Sequence, residues 1–255
     1  MNLWHAFVFG LVEGVTEFLP VSSTGHLMLT AKLLGYAQTE FIKSFEIAIQ
    51  LGAILAVAAV YWKRLLTDIK IWINVLAAFI PTAVIGLFLH KFVKQYLLTS
   101  YSTVLWALFL GGLFLIVFEA VHKDREDTSD DVAGIPLATC VLIGIIQSLA
   151  MVPGVSRSAA TIVGGLVLGL RRKTVVEFSF LLAIPTMAAA TGLDILKSGS
   201  AFSIGQFHFL ALGFLASFFF AVLSIKFLMM FIQKHNFISF GVYRVLVSTA
   251  FFIFR

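Results

Sequence analysis

Between residues 13 and 26 the chain reads Glu13-Gly14-Val15-Thr16-Glu17-Phe18-Leu19-Pro20-Val21-Ser22-Ser23-Thr24-Gly25-His26. Apolar stretches at approximately 3–18 and 24–35 flank its centre. Pro20 removes a backbone donor and its ring clashes with the preceding turn, so it ends the first stretch as a helix. The serines behind it are good caps for a new helix. Each stretch is shorter than the about 20 apolar residues that cross a bilayer. The two together read as a re-entrant helical hairpin, residues 3–35, whose tip lies inside the membrane. Irregular backbone is tolerated at that depth only where protein buries it or it lines a cavity.

The same pattern returns at residues 135–170. Short stretches at 135–151 and 157–170 are split by Val152-Pro153-Gly154-Val155-Ser156. A shift of 134 positions sets Gly10 on Gly144, Glu13 on Gln147, Val21 on Val155, Ser22 on Ser156 and Thr24 on Ser158. Six longer apolar segments, at 41–62, 72–90, 103–121, 175–196, 207–232 and 237–254, are long enough to span. The order is hairpin and three spans, then hairpin and three spans. Three is odd, so the second unit runs inverted relative to the first, a plan common among transporters. The expected fold is therefore an all-α integral membrane protein, one membrane domain over 1–255. It is expected to be an inverted-topology repeat, 1–121 and 135–254, with six transmembrane helices and two re-entrant hairpins.

Composition agrees. The chain is 60% hydrophobic and 12% charged, against about 25% charged in a soluble domain, so the bilayer is its solvent. The formal charge of +5 is scattered over segment ends, which argues against a nucleic-acid patch. The single cysteine, Cys140, rules out an intramolecular disulfide and reads as core packing. Met1-Asn2-Leu3-Trp4-His5 lacks the basic start of a secretory signal, so the N-terminal segment is expected to be retained. Basic residues also orient the chain. Nine (Lys63, Arg64, Lys70, Lys123, Arg125, Arg171, Arg172, Lys173, Lys234) lie opposite the termini, and six (Lys32, Lys43, Lys91, Lys94, Lys197, Arg255) lie on their side. The larger set marks the cytoplasmic face, which puts both termini and the site's opening outside. The acidic loop Asp124–Asp131 reads as a solvated connector.

The tips carry the chemistry. Glu13 and Glu17 share a helix face, and an isolated charge at mid-bilayer costs about 2.5–3.5 kcal/mol. A divalent cation, a proton or an opposing arginine would offset both that cost and their repulsion. The second tip supplies the arginine, in Pro153-Gly154-Val155-Ser156-Arg157-Ser158-Ala159-Ala160-Thr161. Arg157 offers a fork of donors suited to phosphate, and it starts a helix whose free N–H groups also favour anions. A structural Arg–Glu pair holding the hairpins together is the alternative. If the tips meet, phosphate suits the arginine, hydroxyls and helix N-termini but is repelled by the carboxylates. A bridging divalent metal, Mg²⁺ or Ca²⁺, removes that conflict.

These two motifs resemble the signatures of the bacterial undecaprenyl-diphosphate phosphatase family, the BacA type. The resemblance runs over essentially the whole chain and includes Phe45-Glu46-Ile47-Ala48-Ile49-Gln50-Leu51-Gly52, the segment from Glu177 to Pro185, and Tyr243-Arg244. It implies an inner-membrane hydrolase that removes the terminal phosphate of a C55 polyprenyl diphosphate. That regenerates the carrier lipid for peptidoglycan and cell-wall synthesis, and the family is associated with bacitracin resistance. By motif position, Glu13 and Glu17 look like the pair that binds metal or assists proton transfer. Ser23 looks like the nucleophile, with His26 as its base or acid; attack by water, with Ser23 donating to phosphate, is the other route. Arg157 looks like the diphosphate clamp, helped by Ser22, Thr24, Ser156 and Ser158. Ala159 departs from the glycine often found there.

Glu46 and Gln50 share a face and are expected behind the acidic pair, and Glu177 is expected in an interfacial salt bridge. Gly165 and Gly169 read as a small-residue pair for close helix packing. His90, His122, His208 and His235 stand near segment ends, where interfacial placement is expected. The rival function is a polyprenyl-phosphate flippase using the same midplane site. The expected partners are the lipid substrate, the bilayer and a second copy in a homodimer.

Overall fold

A computed structural model describes residues 1–37, 39–92, 100–123, 131–198 and 206–253. Among them are ten α-helices and no strand. They are α1 (Leu3–Thr16), α2 (Ser23–Leu33), α3 (Glu40–Thr67), α4 (Ile69–Phe92), α5 (Tyr101–Val121), α6 (Leu137–Gln147), α7 (Arg157–Val167), α8 (Arg172–Ser198), α9 (Phe207–Phe231) and α10 (Ile238–Ile253). Residues 124–130 of the acidic connector, with Lys94, Arg125 and Arg255, lie outside the described residues, as do the side chains of Lys43, His90, Lys91 and Lys197.

Five helices are long and apolar enough to cross a membrane: Ser44–Thr67, Ile69–Leu89, Tyr101–Val121, Arg172–Leu193 and Phe207–Phe231. The sixth expected span, 237–254, is the 16-residue helix α10, about 24 Å long at 1.5 Å per residue. Its N-terminus is pinned inside the protein, where the Phe237 amide donates to Glu119 Oε1 at 3.2 Å. Large apolar side chains such as Leu87, Phe88, Leu110, Val117 and Met230 face outward. A multi-pass membrane protein has this surface.

Both hairpins exist, and they are built alike. Ser22 and Ser156 both adopt positive φ, 71° and 80°, a costly conformation for a residue with a Cβ. Each caps the helix that follows, accepting from the amide three residues on, Gly25 for Ser22 and Ala159 for Ser156. Both capped helices are 11 residues long, and both end at Leu-Gly. Gly35 (φ 73°) and Gly169 (φ 89°) take the left-handed turn. Tyr36 N–H then returns to Ala31 O at 2.8 Å, and Leu170 N–H to Gly165 O at 2.9 Å, the glycine-terminated helix stop. Gly169 is therefore a turn residue. Of the expected packing pair only Gly165 packs, against Val175 of α8.

α1 lies along α9, and α6 lies along α4; α5 pairs with α10 and α3 with α8. The α1–α9 approach is backbone-close because Gly10 and Gly14 stand against the carbonyls of Gly213 and Ser217, where a Cβ would collide. Gly144 does the same against the Ala78 carbonyl of α4. α4 and α8 each contain a proline followed by threonine, Pro81-Thr82 and Pro185-Thr186. The threonine hydroxyls donate back to helix carbonyls, Thr82 to Ala78 at 3.2 Å and Thr186 to Leu182 at 2.7 Å.

At the end away from the chain termini, ion pairs tie the helices together. Arg64 of α3 binds Glu177 of α8 and Asp131; Arg172 of α8 binds Glu119 of α5 at 2.5 Å. Glu177 is thus in a salt bridge, with α3 rather than with the adjacent basic loop. His122, His208 and His235 sit at helix ends, beside Phe118, Phe209 and Phe231.

Candidate active site

The two hairpin tips meet. Ser158 Oγ donates to Leu19 O at 2.7 Å, stapling the second tip to the first. Arg244 of α10 does more. Its Nη1 donates to Pro20 O (3.3 Å) and Val155 O (3.1 Å), its Nη2 to Gly154 O (2.9 Å) and Ala107 O (3.0 Å), and its Nε to Leu108 O (3.3 Å). All five donors of a guanidinium are used, every one on a carbonyl. Proline-broken turns leave such carbonyls without helical partners, and inside a bilayer no water can serve them. Arg244 is fully buried at 1% exposure and acts as a clasp on both tips.

Between the tips lies a cavity of about 220 Å³. Glu17, Ser22, Ser23, Thr24 and Gln50 line it from the N-terminal half of the chain, and Gln147, Ser156 and Arg157 from the C-terminal half. Thr82 and Thr186 of the proline-bearing helices close it, with Ala150, Met151, Met187 and Ala190 making an apolar flank. A polar pocket with a greasy side suits a lipid bearing a charged head.

Glu17 is the hub. Its Oε1 accepts from Arg157 Nη2 at 2.9 Å, and its Oε2 accepts a short hydrogen bond from the Ser23 hydroxyl. Arg157 is held by more than Glu17: its Nη1 donates to Ser179 O at 2.8 Å, and its guanidinium lies 5.7 Å from the Phe18 ring. Its Nε is buried without a partner among the described residues. So Arg157 makes the Arg–Glu pair between the hairpins and keeps one donor unspent among the described residues.

Glu13 is fully buried one turn behind Glu17, outside the cavity lining. Neither of its oxygens has a hydrogen-bond partner among the described residues. It feels the charges of Glu17 and Glu46 on one side and Arg157 on the other. An uncompensated carboxylate at that depth requires a proton or a cation. Among the described residues no three His, Cys, Asp or Glu side chains are grouped to hold a metal. Mg²⁺ characteristically binds through one or two carboxylates plus substrate phosphate oxygens; of the expected pair, Glu17 lines the cavity and Glu13 stands behind it.

His26 is placed differently from the expected base. Its Nδ1 lies 2.8 Å from Ser22 O and its Nε2 2.8 Å from the Tyr243 hydroxyl. Ser22 O can only accept, so Nδ1 carries the proton. The Ser23 hydroxyl points to Glu17, across the turn between α1 and α2. Ser156 accepts from the Ala159 amide at 3.2 Å and pairs with Ser158 at 3.0 Å. Ser158 itself faces Leu19 and is absent from the cavity lining. Ser22, Thr24 and Ser156 do line it.

Arg244, Gln147, Thr82 and Thr186 were not singled out as site residues from the motifs. Arg244 carried a signal of its own, an arginine inside an apolar segment, which demands an internal partner. The threonines carried none beyond their prolines.

The chain matches the family described as Bacitracin resistance protein BacA over residues 6–250. It is 48% identical over 257 residues to a protein of Aquifex aeolicus, covering 100% of both chains. It is 49% identical to proteins of Wolinella succinogenes and Persephonella marina, covering 100% of this chain and 98% and 99% of theirs. All three relatives bear the name undecaprenyl-diphosphatase. A match that runs nearly end to end, over the two tips that meet at the cavity, makes this chain a member of the BacA family.

Proposed function

We propose that the chain is an undecaprenyl-diphosphate phosphatase, an enzyme that hydrolyses undecaprenyl diphosphate to undecaprenyl phosphate and inorganic phosphate. The family match and the names of the full-length relatives support the reaction. The observation that carries it into the structure is the chain Ser23–Glu17–Arg157 on the wall of one cavity. Ser23 is the proposed nucleophile. Its oxygen bonds to the terminal phosphorus while its proton passes to Glu17, and the bond to the bridging oxygen breaks. Glu17 returns the proton to the departing undecaprenyl phosphate, and water then hydrolyses the phosphoserine. Arg157 Nε, the hydroxyls of Ser22 and Thr24 and the N-termini of α2 and α7 offer donors to the phosphoryl oxygens.

Glu13 and Glu17 would hold a divalent cation, which would screen the phosphate charge they otherwise repel. The inverted repeat is part of the same reading. It is supported by the matched serine caps and Leu-Gly stops 134 residues apart, and by the reciprocal pairing of α1 with α9 and α6 with α4. The basic loop ends beside the Arg64 and Arg172 ion pairs favour that side as cytoplasmic in the bacterial inner membrane, with termini and site opening outward. A homodimer completes the proposal, tested by cross-linking in membranes.

The deciding experiment is phosphate release from undecaprenyl diphosphate by pure protein in detergent, with and without chelator. Release that chelator abolishes and Mg²⁺ or Ca²⁺ restores is expected. No release under any metal, alongside lipid movement in liposomes, would replace the phosphatase with the flippase.

A further inference from the structure

One residue of the cavity lining carries an acceptor that has nothing to accept from. Gln147 ends α6 at 2% exposure and lines the cavity. Thr82 decides how its amide is turned. Thr82 Oγ1 lies 2.6 Å from the Gly144 carbonyl oxygen and 3.2 Å from that of Ala78; its single proton is shared between two groups that only accept, so the Thr82 oxygen is left to accept. Gln147 Nε2 donates to it at 3.0 Å. The reverse orientation would set two acceptors together and orphan the amide nitrogen. Gln147 Oε1 is thus the free end, buried and without a partner among the described residues.

Phosphate does not suit that oxygen. Phosphoryl oxygens are themselves anionic acceptors, and their donors are Arg157 Nε and the hydroxyls opposite. The reactant that brings a donor is water, which the hydrolysis consumes. Position 147 also stands 134 residues after Glu13, and there the amide keeps an acceptor without adding a third carboxylate beside the phosphate.

We infer that Gln147 Oε1 accepts a hydrogen bond from the hydrolytic water and turns its lone pair toward phosphorus. The inference rests on the phosphatase reading above. The water oxygen bonds to phosphorus as the bond to Ser23 Oγ breaks. The water proton passes through Glu17 to Ser23 Oγ, inorganic phosphate leaves, and the Gln147 amide is unchanged. Water has two O–H groups, one for Gln147 and one for the base. Methanol has one, so a site built this way discriminates against methanol.

The test uses the full chain in detergent, with undecaprenyl diphosphate as substrate and methanol as competing nucleophile. Phosphate, methyl phosphate, kcat, KM and the thermal midpoint are measured. Gln147→Leu is expected to lower kcat for hydrolysis by about 100-fold, the cost of a misplaced reactant. KM falls in proportion, because kcat/KM reports the serine attack that precedes the water, and the share of methyl phosphate rises severalfold. An unchanged partition in Gln147→Leu, or a raised KM with kcat intact, overturns the inference. Should that variant lose its thermal transition, Thr82→Ala releases the amide and shifts the partition in the same direction; no shift there overturns it equally. If the wild type releases no phosphate, the phosphatase reading itself falls, a result distinct from an active enzyme with unaltered partition.

Discussion

Arg157 Nη2 donates to Glu17 Oε1 across 2.9 Å, joining two residues that stand 140 positions apart in the chain. Their side chains are 14% and 7% exposed, so neither charge has bulk water to fall back on. Arg157→Met leaves Glu17 uncompensated, and breaking a buried pair from one side costs about 3–5 kcal/mol. Thermal unfolding in detergent should show that loss. Adding Glu17→Gln should cost less than the two single changes combined, while phosphate release stays at least about 100-fold down in all three proteins.

Ser23 hands its hydrogen bond to the same carboxylate. Ser23→Ala is expected to lower phosphate release by about 10³-fold or more, as loss of a nucleophile does. Acid quenching of the wild type during turnover should trap label on Ser23. A Ser23→Ala protein within tenfold of wild type, with no trapped label, would point to direct attack by water.

His26 holds the Ser22 carbonyl and is itself held by Tyr243, and its expected contribution is positional. Tyr243→Phe removes one hydrogen bond, worth about 1 kcal/mol, and should leave most of the activity. His26→Ala should lower kcat further because Ser22 loses its brace. The residual activity is expected to keep the wild-type pH–rate profile, since Glu17 remains the proton acceptor. Disappearance of one limb of that profile in His26→Ala would restore histidine as the base.

Arg244 satisfies carbonyls from both tips and from α5. Arg244→Leu strands the tip carbonyls of Pro20, Gly154 and Val155, each at about 1–3 kcal/mol, and should abolish stable folding in detergent. Arg244→Lys supplies three donors at most and should fold with a lowered midpoint and greater protease cleavage near residues 19–23 and 152–156. Equal midpoints for the lysine variant and wild type would exclude the clasp.

The elements were legible in sequence because the signals are local. Pro20 and Pro153 break helices wherever they occur, Ser22 and Ser156 cap them, and runs of 20 apolar residues demand lipid. The matching helix ends Leu34-Gly35 and Leu168-Gly169 emerged only in the structure, where the positive φ of Gly169 makes it a turn residue and not a packing one. The prolines of α4 and α8 were less readable. Pro81 and Pro185 stay within their helices because Thr82 and Thr186 and the neighbouring packing serve the disturbed backbone.

Sequence by itself determined that this chain lives in a membrane, that it carries two broken hairpins, and that acids, serines and an arginine stand at their tips. Composition and local helix rules suffice for that. Which atom faces which was decided only by tertiary structure. Ser23 binds Glu17 rather than His26, Ser158 staples Leu19 rather than lining the cavity, and Arg244 reaches both tips from the last helix. Those choices depend on how unpaired carbonyls and charges from distant segments find partners without water. No local pattern encodes that pairing; it is set when the hairpins pack.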